Sequence, residues 1–331
     1  MAVPALDPPL RPRANRLVAW TVLATALVLV AATPFMPNYY IRIVNSLLIY
    51  ILLGIGLNIV IGYAGLLDLG FVAFYAVGAY TYAILASGQF GLHWSLLEIF
   101  PVAMVLGAVM GILLGIPVLR LRGDYLAIVT LGFGEIIRII LNNMDNLTGG
   151  PQGIARLDKA HAFGLEFARP VEIYWLLLVV VCIVGVVVFR MQQSLLGKAW
   201  AAVREDQDAA RGVGIDTTRA KLAAFAISAT IGSIAGVIFA ASQRFVSPES
   251  FTLQESVLIV LMIVIGGIGN ILGVIVGATI LILLPELLRE FAEWRVLFLG
   301  LLMVFLIIIR PAGIVPRTFG PDRLLRGLFG K

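Results

Sequence analysis

The sequence predicts an all-α polytopic membrane protein with about ten transmembrane helices, some of them short or broken. Hydrophobic residues make up 60% of the 331 residues and charged residues only 13%, whereas an ordinary soluble domain carries about 25% charge. The apolar residues also fall in runs that approach the roughly 20 residues a helix needs to cross a bilayer. This composition leaves no room for a soluble domain large enough to hold an active site.

Nine apolar runs are the basis of this helix count. Lipid offers no hydrogen-bond partner to open backbone groups, so we expect the runs to be helical. The longest run is broken by Gly266, Gly267 and Gly269, and we divide it into two short helices, which gives ten spans. The runs are residues 17–35, 42–61, 69–87, 98–119, 124–141, 172–190, 221–242, 256–286 and 296–309.

Lysine and arginine are divided unevenly between the two predicted faces, and this bias sets the orientation. With the N-terminus in the cytoplasm, 16 of the 24 basic residues lie on the cytoplasmic face and seven on the outer face, while Arg138 lies within a span. An even number of spans then places both termini in the cytoplasm. The predicted parts are a tail (1–16), a transmembrane domain (17–310) with an outer loop (143–171) and a cytoplasmic loop (190–220), and a second tail (311–331).

Glycines interrupt the apolar pattern at similar places in the two halves of the chain. Interruptions at corresponding places in two halves point to a transport pathway built from broken helices. The same pattern can arise by chance, because the chain contains 34 glycines. The outer loop adds a glycine pair that either lines the outer mouth or forms an ordinary turn. The candidate pathway residues are Gly62, Gly65, Asp68, Gly149, Gly150, Gly266, Gly267 and Gly269.

A few polar side chains fall within or beside the predicted spans. Glu135 and Arg138 are three residues apart on one helix and can pair. Since each charge in lipid costs ~2.5–3.5 kcal/mol, we expect them to face other subunits or water, and we favour a structural pair over substrate contact. Asn58 is expected to hydrogen-bond across helices, and Asp68 to cap the next helix. No cluster with metal-ligand spacing is present in the sequence, so we expect no metal site.

The cytoplasmic loop predicts one short amphipathic helix. Ser194 can cap a helix that begins at Leu195, and Gly212 and Gly214 can end it, with Gly214 at positive φ. Such a helix either docks a partner protein or rests on lipid. Its mainly apolar face repeats at three- and four-residue spacing through Leu196, Trp200, Val203, Gln207 and Ala210.

The end of this helix, residues 208–214 (DAARGVG), resembles the Glu-Ala-Ala loop of bacterial ABC importer permeases. Asp208 replaces the glutamate, and the Ile-x-Leu-Pro that follows in the family has no clear counterpart. In that family the loop docks on the ATP-binding subunit. The resemblance therefore implies an ATPase-coupling role for Asp208, Ala209, Ala210, Gly212 and Gly214.

Longer segments resemble the branched-chain amino-acid ABC permeases of the LivM type. The matching segments occur in order over most of residues 40–316, and several are built from unusual residue combinations. They are residues 62–71 (GYAGLLDLGF), 121–135 (LRGDYLAIVTLGFGE), 148–153 (TGGPQG), 247–251 (SPESF) and 310–313 (RPAG).

This resemblance implies a multi-pass subunit of the bacterial inner membrane that translocates leucine, isoleucine and valine in an ATP-driven importer. It implies a second permease subunit of the LivH type, two cytoplasmic ATPases and a periplasmic binding protein as partners, and no nucleic acid. The sequence has no Gly-x-x-x-x-Gly-Lys motif, so ATP and Mg are expected on the ATPases, with no cofactor and no catalysis on this chain. Urea or a short amide is an alternative cargo, and an ion-coupled secondary transporter is an alternative of another class.

Overall fold

The computed structural model describes residues 33–287 except 120, 122 and 163, together with residues 300, 301, 304, 308, 309 and 313–315. This part of the chain is mostly helical, and five of its helices are long and apolar enough to cross a membrane. The chain is therefore a polytopic α-helical membrane protein. The predicted spans 17–35 and 296–309 lie largely outside the described residues.

Each predicted run between residues 42 and 286 coincides with a helix, and the run 256–286 coincides with two. A π-helical turn, Ile59–Tyr63, extends the first helix. The helices are α1 (Asn38–Asn58), α2 (Val72–Leu85), α3 (Leu96–Val118), α4 (Asp124–Asn143), α5 (Asp145–Thr148), α6 (Pro170–Gln193), α7 (Leu195–Glu205), α8 (Gln207–Gly212), α9 (Thr217–Gln243), α10 (Leu253–Gly266) and α11 (Ile271–Leu287).

Helix α9 packs along α2 and α3 to form the centre of the molecule, which we call the α9 bundle. Small residues let the helix backbones touch. A Cβ atom added to Gly78 of α2 would lie 1.9 Å from Ser233 O, and one added to Gly236 of α9 would lie 2.1 Å from Tyr75 O. No real side chain fits at such distances, so these glycines set how closely the helices pack.

Helix α2 is shorter than the predicted span 69–87, because residues 64–71 are neither helix nor strand. With 14 residues, α2 is about 21 Å long, less than the roughly 30 Å of a bilayer core. The missing depth is crossed by residues 64–71, which we call the unwound segment. The prediction of a helix from residue 69 is therefore wrong, since helix formation begins at Val72.

Neighbouring helices satisfy the backbone of the unwound segment. Leu69 N donates to Thr130 Oγ1 of α4 at 2.9 Å, and Leu69 O accepts from Ser256 Oγ of α10 at 2.6 Å. Gly70 packs directly on α4, where an added Cβ would lie 2.0 Å from Thr130 O. Irregular backbone is tolerated at membrane depth only when it is buried in protein or lines a cavity, and these contacts supply that burial.

Helices α10 and α11 form the predicted broken pair. The turn between them contains Gly267 with φ +126° and Gly269 with φ +83°, conformations that favour glycine. Ile314 N donates to Ile265 O and Val315 N to Gly266 O, both at 2.9 Å. The C-terminal carbonyls of α10 are thus capped by a distant part of the chain.

The loop after α4 is more ordered than the sequence indicates. It contains α5 and three short strands, β1 (Ile154–Ala155), β2 (Ala160–Ala162) and β3 (Leu165–Phe167), and β4 (Phe245–Val246) follows α9. Strands β1 and β4 pair antiparallel, with Ile154 opposite Val246, and β2 pairs with β3. These elements lie at the end of the molecule away from α7 and α8. We call this end the opposite face, and the end with α7 and α8 the loop face.

Candidate functional site

The loop between α6 and α9 folds as two short helices, where the sequence predicts one. Ser194 caps α7 as predicted, with Oγ accepting a hydrogen bond from Gly197 N. The helix ends at Asp206, whose backbone is extended. Asp206 Oδ1 accepts hydrogen bonds from Asp208 N at 2.8 Å and Ala209 N at 3.0 Å. Aspartate is favoured at such N-cap positions, and here it starts α8 in a new direction.

One side of α7 and α8 packs on the membrane helices. Trp200 is buried, and its Nε1 donates to Ala220 O in the first turn of α9 at 2.8 Å. Ala210 is also buried. Its small side chain therefore serves packing within the chain, which corrects the expectation that both alanines face a partner. Asp208, Ala209 and the two glycines that follow are exposed.

Gly214 sets the direction in which the loop enters α9. Its φ of +86° confirms the predicted positive φ. A Cβ added to Gly214 would meet nothing within 4 Å. The backbone conformation alone therefore requires glycine, because other residues adopt this region rarely. Gly212, in contrast, is the last residue of α8 and needs no such conformation.

Arg204 of α7 connects the loop to the membrane helices. Its Nη1 donates a hydrogen bond to Gly62 O, in the π-helical turn that ends α1. Its aliphatic stem lies against Gly65, where an added Cβ would be 2.6 Å from Arg204 Cγ. Gly65 also has φ +71°, so both the local conformation and the close approach favour glycine.

Gly62 also touches the turn between α10 and α11. Asn58 Oδ1 accepts a hydrogen bond from Gly269 N at 2.9 Å, which confirms the predicted bond across helices. A Cβ added to Gly62 would lie 2.1 Å from Asn58 Oδ1 and 2.7 Å from Gly269 N. We call the five residues Asn58, Gly62, Gly65, Arg204 and Gly269 the glycine junction. It joins the loop, the end of α1 and the turn of the broken pair.

A cavity of about 230 Å³ lies beside the glycine junction. Residues 64–67 of the unwound segment form one wall, residues from the start of α4 another, and Gln207 and Lys221 a third. Lys221 is buried, and its Nζ donates to Gln207 Oε1 at 2.9 Å. The loop and the unwound segment therefore meet through Arg204 without being packed solidly together.

Asp68 is fully buried in the unwound segment. Its Oδ1 accepts a hydrogen bond from Gly70 N at 2.9 Å, whereas the N-cap residue of α2 is Phe71. The predicted cap is therefore wrong, since Asp68 closes a turn before the helix. Asp68 Oδ2 is buried with no hydrogen-bond partner in the described part of the chain. A buried acceptor in this state costs about 1–3 kcal/mol.

Glu135 and Arg138 form the predicted pair on α4. Arg138 Nε donates to Glu135 Oε1 at 3.0 Å and to Oε2 at 3.2 Å. The sequence does not predict the third member, Glu249, whose Oε1 lies 3.5 Å from Arg138 Nη1. Glu249 belongs to the 3₁₀ turn before α10, so Arg138 joins α4 to the beginning of the broken pair.

Gly149 and Gly150 lie at the opposite face, away from the glycine junction. They have φ values of +73° and +56°, and the preceding Thr148 donates its hydroxyl to Leu141 O at 2.6 Å. A Cβ added to Gly150 would lie 2.0 Å from Asp145 Oδ1. These contacts form an ordered turn at the end of α4. The structure therefore does not bring this glycine pair together with the other candidate pathway residues.

Comparison with known proteins assigns these elements to a family. The profile of the family described as "Branched-chain amino acid transport system / permease component" matches residues 39–307. This range contains the unwound segment, the glycine junction and the loop. The chain belongs to this permease family. It is thus a multi-pass membrane subunit of a transport system, as the resemblance of its motifs implies.

Individual members of the permease family are similar over most of their length. The high-affinity branched-chain amino acid transport system permease proteins LivM of Salmonella typhimurium LT2 and Escherichia coli K12 are each 46% identical to the chain. The matches cover 89% and 92% of this chain, and 75% and 77% of those proteins. A probable LivM of Methanocaldococcus jannaschii is 26% identical over 73% of the chain and 74% of its own length. No solved structure matches the chain.

Two loop residues of this permease, Arg204 and Asp206, were missed from the sequence in addition to Glu249. Arg204 is one residue away from the mainly apolar face of the loop helix, four positions after the buried Trp200. A cation at the edge of a protein-facing surface is the signal that could have indicated a buried contact. Asp206 gave no such signal, because neither glycine nor proline accompanies the break between α7 and α8.

Proposed function

We propose that the chain is the membrane-spanning permease of an ATP-driven ABC importer that moves leucine, isoleucine and valine across the bacterial inner membrane. The observation that carries this proposal is the 46% identity, over about nine tenths of the chain, to two permeases named for branched-chain amino acid transport. That identity favours branched-chain amino acids over urea or a short amide. It also favours an ABC importer over an ion-coupled transporter.

The partners follow from the same proposal. A second permease subunit of the LivH type completes the translocation pathway, and a periplasmic binding protein delivers the cargo. Two cytoplasmic ABC ATPases bind and hydrolyse ATP with Mg, while this chain binds no cofactor of its own. The absence of a Gly-x-x-x-x-Gly-Lys motif from the sequence supports this division of labour.

The proposed topology has ten spans, counting 17–35 and 296–309, with both termini in the cytoplasm. The 16-to-seven distribution of basic residues supports it, and places the loop face in the cytoplasm. Residues 61–65 (IGYAG) and 265–269 (IGGIG) are proposed as corresponding parts of a two-half repeat. Cysteines placed at positions 156 and 211 should react with an impermeant reagent from opposite sides of the membrane. Reaction of both positions in intact cells contradicts this topology.

The loop is proposed to transmit ATPase movement into the membrane. Asp208, Ala209, Gly212 and Gly214 supply its exposed surface, while Trp200 and Ala210 fix it to the chain. Movement then reaches Gly62 through Arg204, and reaches the broken pair through the Asn58–Gly269 hydrogen bond. Discontinuous helices of this kind hold substrate sites in other transporters, and the unwound segment and the α10–α11 turn are their counterparts here.

Uptake by the reconstituted importer tests the cargo and the energy source together. Vesicles containing both permeases and the ATPases should take up radiolabelled leucine when the binding protein is outside and ATP inside, and vanadate should block the uptake. Urea offered under the same conditions should not accumulate. Uptake that persists with vanadate but requires an ion gradient contradicts the ABC mechanism, and urea uptake contradicts the cargo.

Substitutions at two glycines of one surface test the loop. Gly214→Val places a β-branched residue at φ +86°, which is strained. Gly212→Val adds the same volume nearby without that strain. Membrane level should be normal for both, while ATPase pull-down and uptake should fall much further for Gly214→Val. If both variants, and also Ala209→Trp, keep normal pull-down and uptake, the helix rests on lipid and has no coupling role.

A further inference from the structure

A polar cleft on the opposite face is separate from the coupling machinery. It measures about 290 Å³ and lies where the outer ends of α1, α6 and α9 meet. Its lining includes Arg42, Ser46 and Arg244, together with the buried Ile49 and Ile173. The cleft is therefore mainly polar, as a site for the headgroup of an amphiphile requires.

The charge of this cleft is positive. None of the described residues that line it is acidic, whereas two are arginines. Arg42 is exposed. Arg244 donates a hydrogen bond from Nε to Leu157 O at 3.1 Å, so the two terminal nitrogens of its guanidinium are left to bind a ligand. The nearby Glu172 is directed elsewhere, since its Oε2 accepts from Arg169 N at 2.8 Å. Two guanidinium groups in one cleft favour an anion, and phosphate oxygens match their donor geometry well.

Asn45 adds a requirement for a hydrogen-bond donor. The residue is only 6% exposed, and its Nδ2 donates to Pro170 O at 2.9 Å. This bond fixes the orientation of the amide, so Oδ1 is the atom left over. Asn45 Oδ1 is buried with no hydrogen-bond partner among the described residues. A ligand that fills the cleft must therefore bring both an anionic group and a donor.

The cleft lies at the height of a membrane interface. Tyr39 and Tyr40, one turn before Arg42 on α1, are exposed, and so is Trp175, two residues after Ile173 on α6. Exposed tyrosine and tryptophan at helix ends mark the headgroup level of a bilayer. A molecule that binds here from the bilayer reaches the two arginines with its headgroup.

We propose that this cleft binds the phosphoglycerol headgroup of an anionic phospholipid in the leaflet at the opposite face. The phosphate accepts hydrogen bonds from Arg42 and Arg244, and a glycerol hydroxyl donates to Asn45 Oδ1. A phosphoethanolamine headgroup fits less well, because it would place its ammonium between two guanidinium groups. A free amino acid also fits less well, because its ammonium group would lie beside two arginines with no described lining carboxylate to balance the charge.

Native mass spectrometry of the purified importer complex with added phosphatidylglycerol or phosphatidylethanolamine tests this site. Phosphatidylglycerol should bind more tightly, and Arg42→Gln should weaken it about tenfold, the loss expected for one charge-assisted hydrogen bond. Arg42→Lys keeps the charge but not the guanidinium geometry, so it should weaken binding less than Arg42→Gln. Arg156→Gln removes an exposed arginine of the same face outside the cleft and should have no effect.

Four results would overturn the proposal. These are equal binding of the two lipids, unchanged phosphatidylglycerol binding in Arg42→Gln, displacement of the lipid by excess leucine, and displacement by excess inorganic phosphate. The third would assign the cleft to an amino acid, and the fourth to free phosphate. Arg42 is exposed and lies outside the α9 bundle, so Arg42→Gln is expected to fold, and an unchanged melting temperature would verify this.

Discussion

The α9 bundle and the glycine junction both depend on glycine, but for different physical reasons. In the bundle, Gly78 and Gly236 lie inside regular helices and bring whole helix backbones into contact. In the junction, Gly62 and Gly269 lie where helices end, and each makes a single hydrogen bond between its backbone and a side chain. Continuous packing resists movement, whereas a few hydrogen bonds can be exchanged. The bundle is therefore the rigid body of the permease, and the junction is the part suited to move.

A substitution in the bundle should cause the largest loss of folded protein. Gly78→Val places side-chain atoms against the backbone of Ser233, which cannot yield without separating α2 from α9. The expected cost exceeds about 3 kcal/mol, and little folded protein should reach the membrane. Gly185→Val is the matched control, because an added Cβ on Gly185 of α6 meets nothing within 4 Å. Equal membrane levels for the two variants would contradict the account of the bundle.

A smaller loss of folded protein should follow from breaking the Glu135–Arg138 pair. This contact is polar, like those of the junction, but it lies within one helix and should behave as a structural element. Arg138→Ala should lose about 2 kcal/mol, since it leaves Glu135 unpaired near lipid, whereas Glu135→Ala should lose less, since Arg138 keeps Glu249 at 3.5 Å. The double variant should recover part of that loss, as measured by thermal unfolding in detergent. Additive losses would mean that the pair is not coupled.

A substitution at the junction should cost little folded protein and much transport. Gly62→Ala pushes on Asn58 Oδ1 and Gly269 N, so it should break the hydrogen bond between them. Membrane level should remain near normal, while leucine uptake falls about tenfold, the equivalent of 1.4 kcal/mol. Gly132→Ala is the control, because Gly132 is a helical glycine with open space around it. Normal uptake by Gly62→Ala would contradict the proposal that the glycine junction, unlike the α9 bundle, moves during transport.

Much of the fold could be predicted from the sequence, because local rules decide it. Apolar runs locate the helices, Ser194 begins α7, and the positive φ of Gly214 follows from its place after a helix. Glu135 and Arg138 pair because helical geometry brings residues three apart together. Each of these features depends on residues within a few positions of one another.

The remaining features depend on contacts between distant residues. Leu69 lies in an apolar run that is equally consistent with helix and with buried irregular backbone. Leu69 N donates to Thr130 Oγ1 and Leu69 O accepts from Ser256 Oγ, and these two hydrogen bonds stabilise the irregular form. Arg204 and Gly62 are 142 positions apart, so no local pattern relates them. The candidate site was therefore predictable as a set of glycine breaks, but not as a junction.

We propose that the loop acts on the membrane helices through Arg204. The most direct test is the number of leucine molecules transported per ATP hydrolysed. The measurement uses vesicles that contain the whole importer, either wild type or with Arg204→Ala. Arg219→Ala is the control, because it removes an exposed arginine of the same face. Arg204→Ala should bind the ATPases and hydrolyse ATP normally while leucine per ATP falls about tenfold, the loss of one charge-assisted hydrogen bond. Arg219→Ala should keep the wild-type ratio. An unchanged ratio in Arg204→Ala would contradict the account.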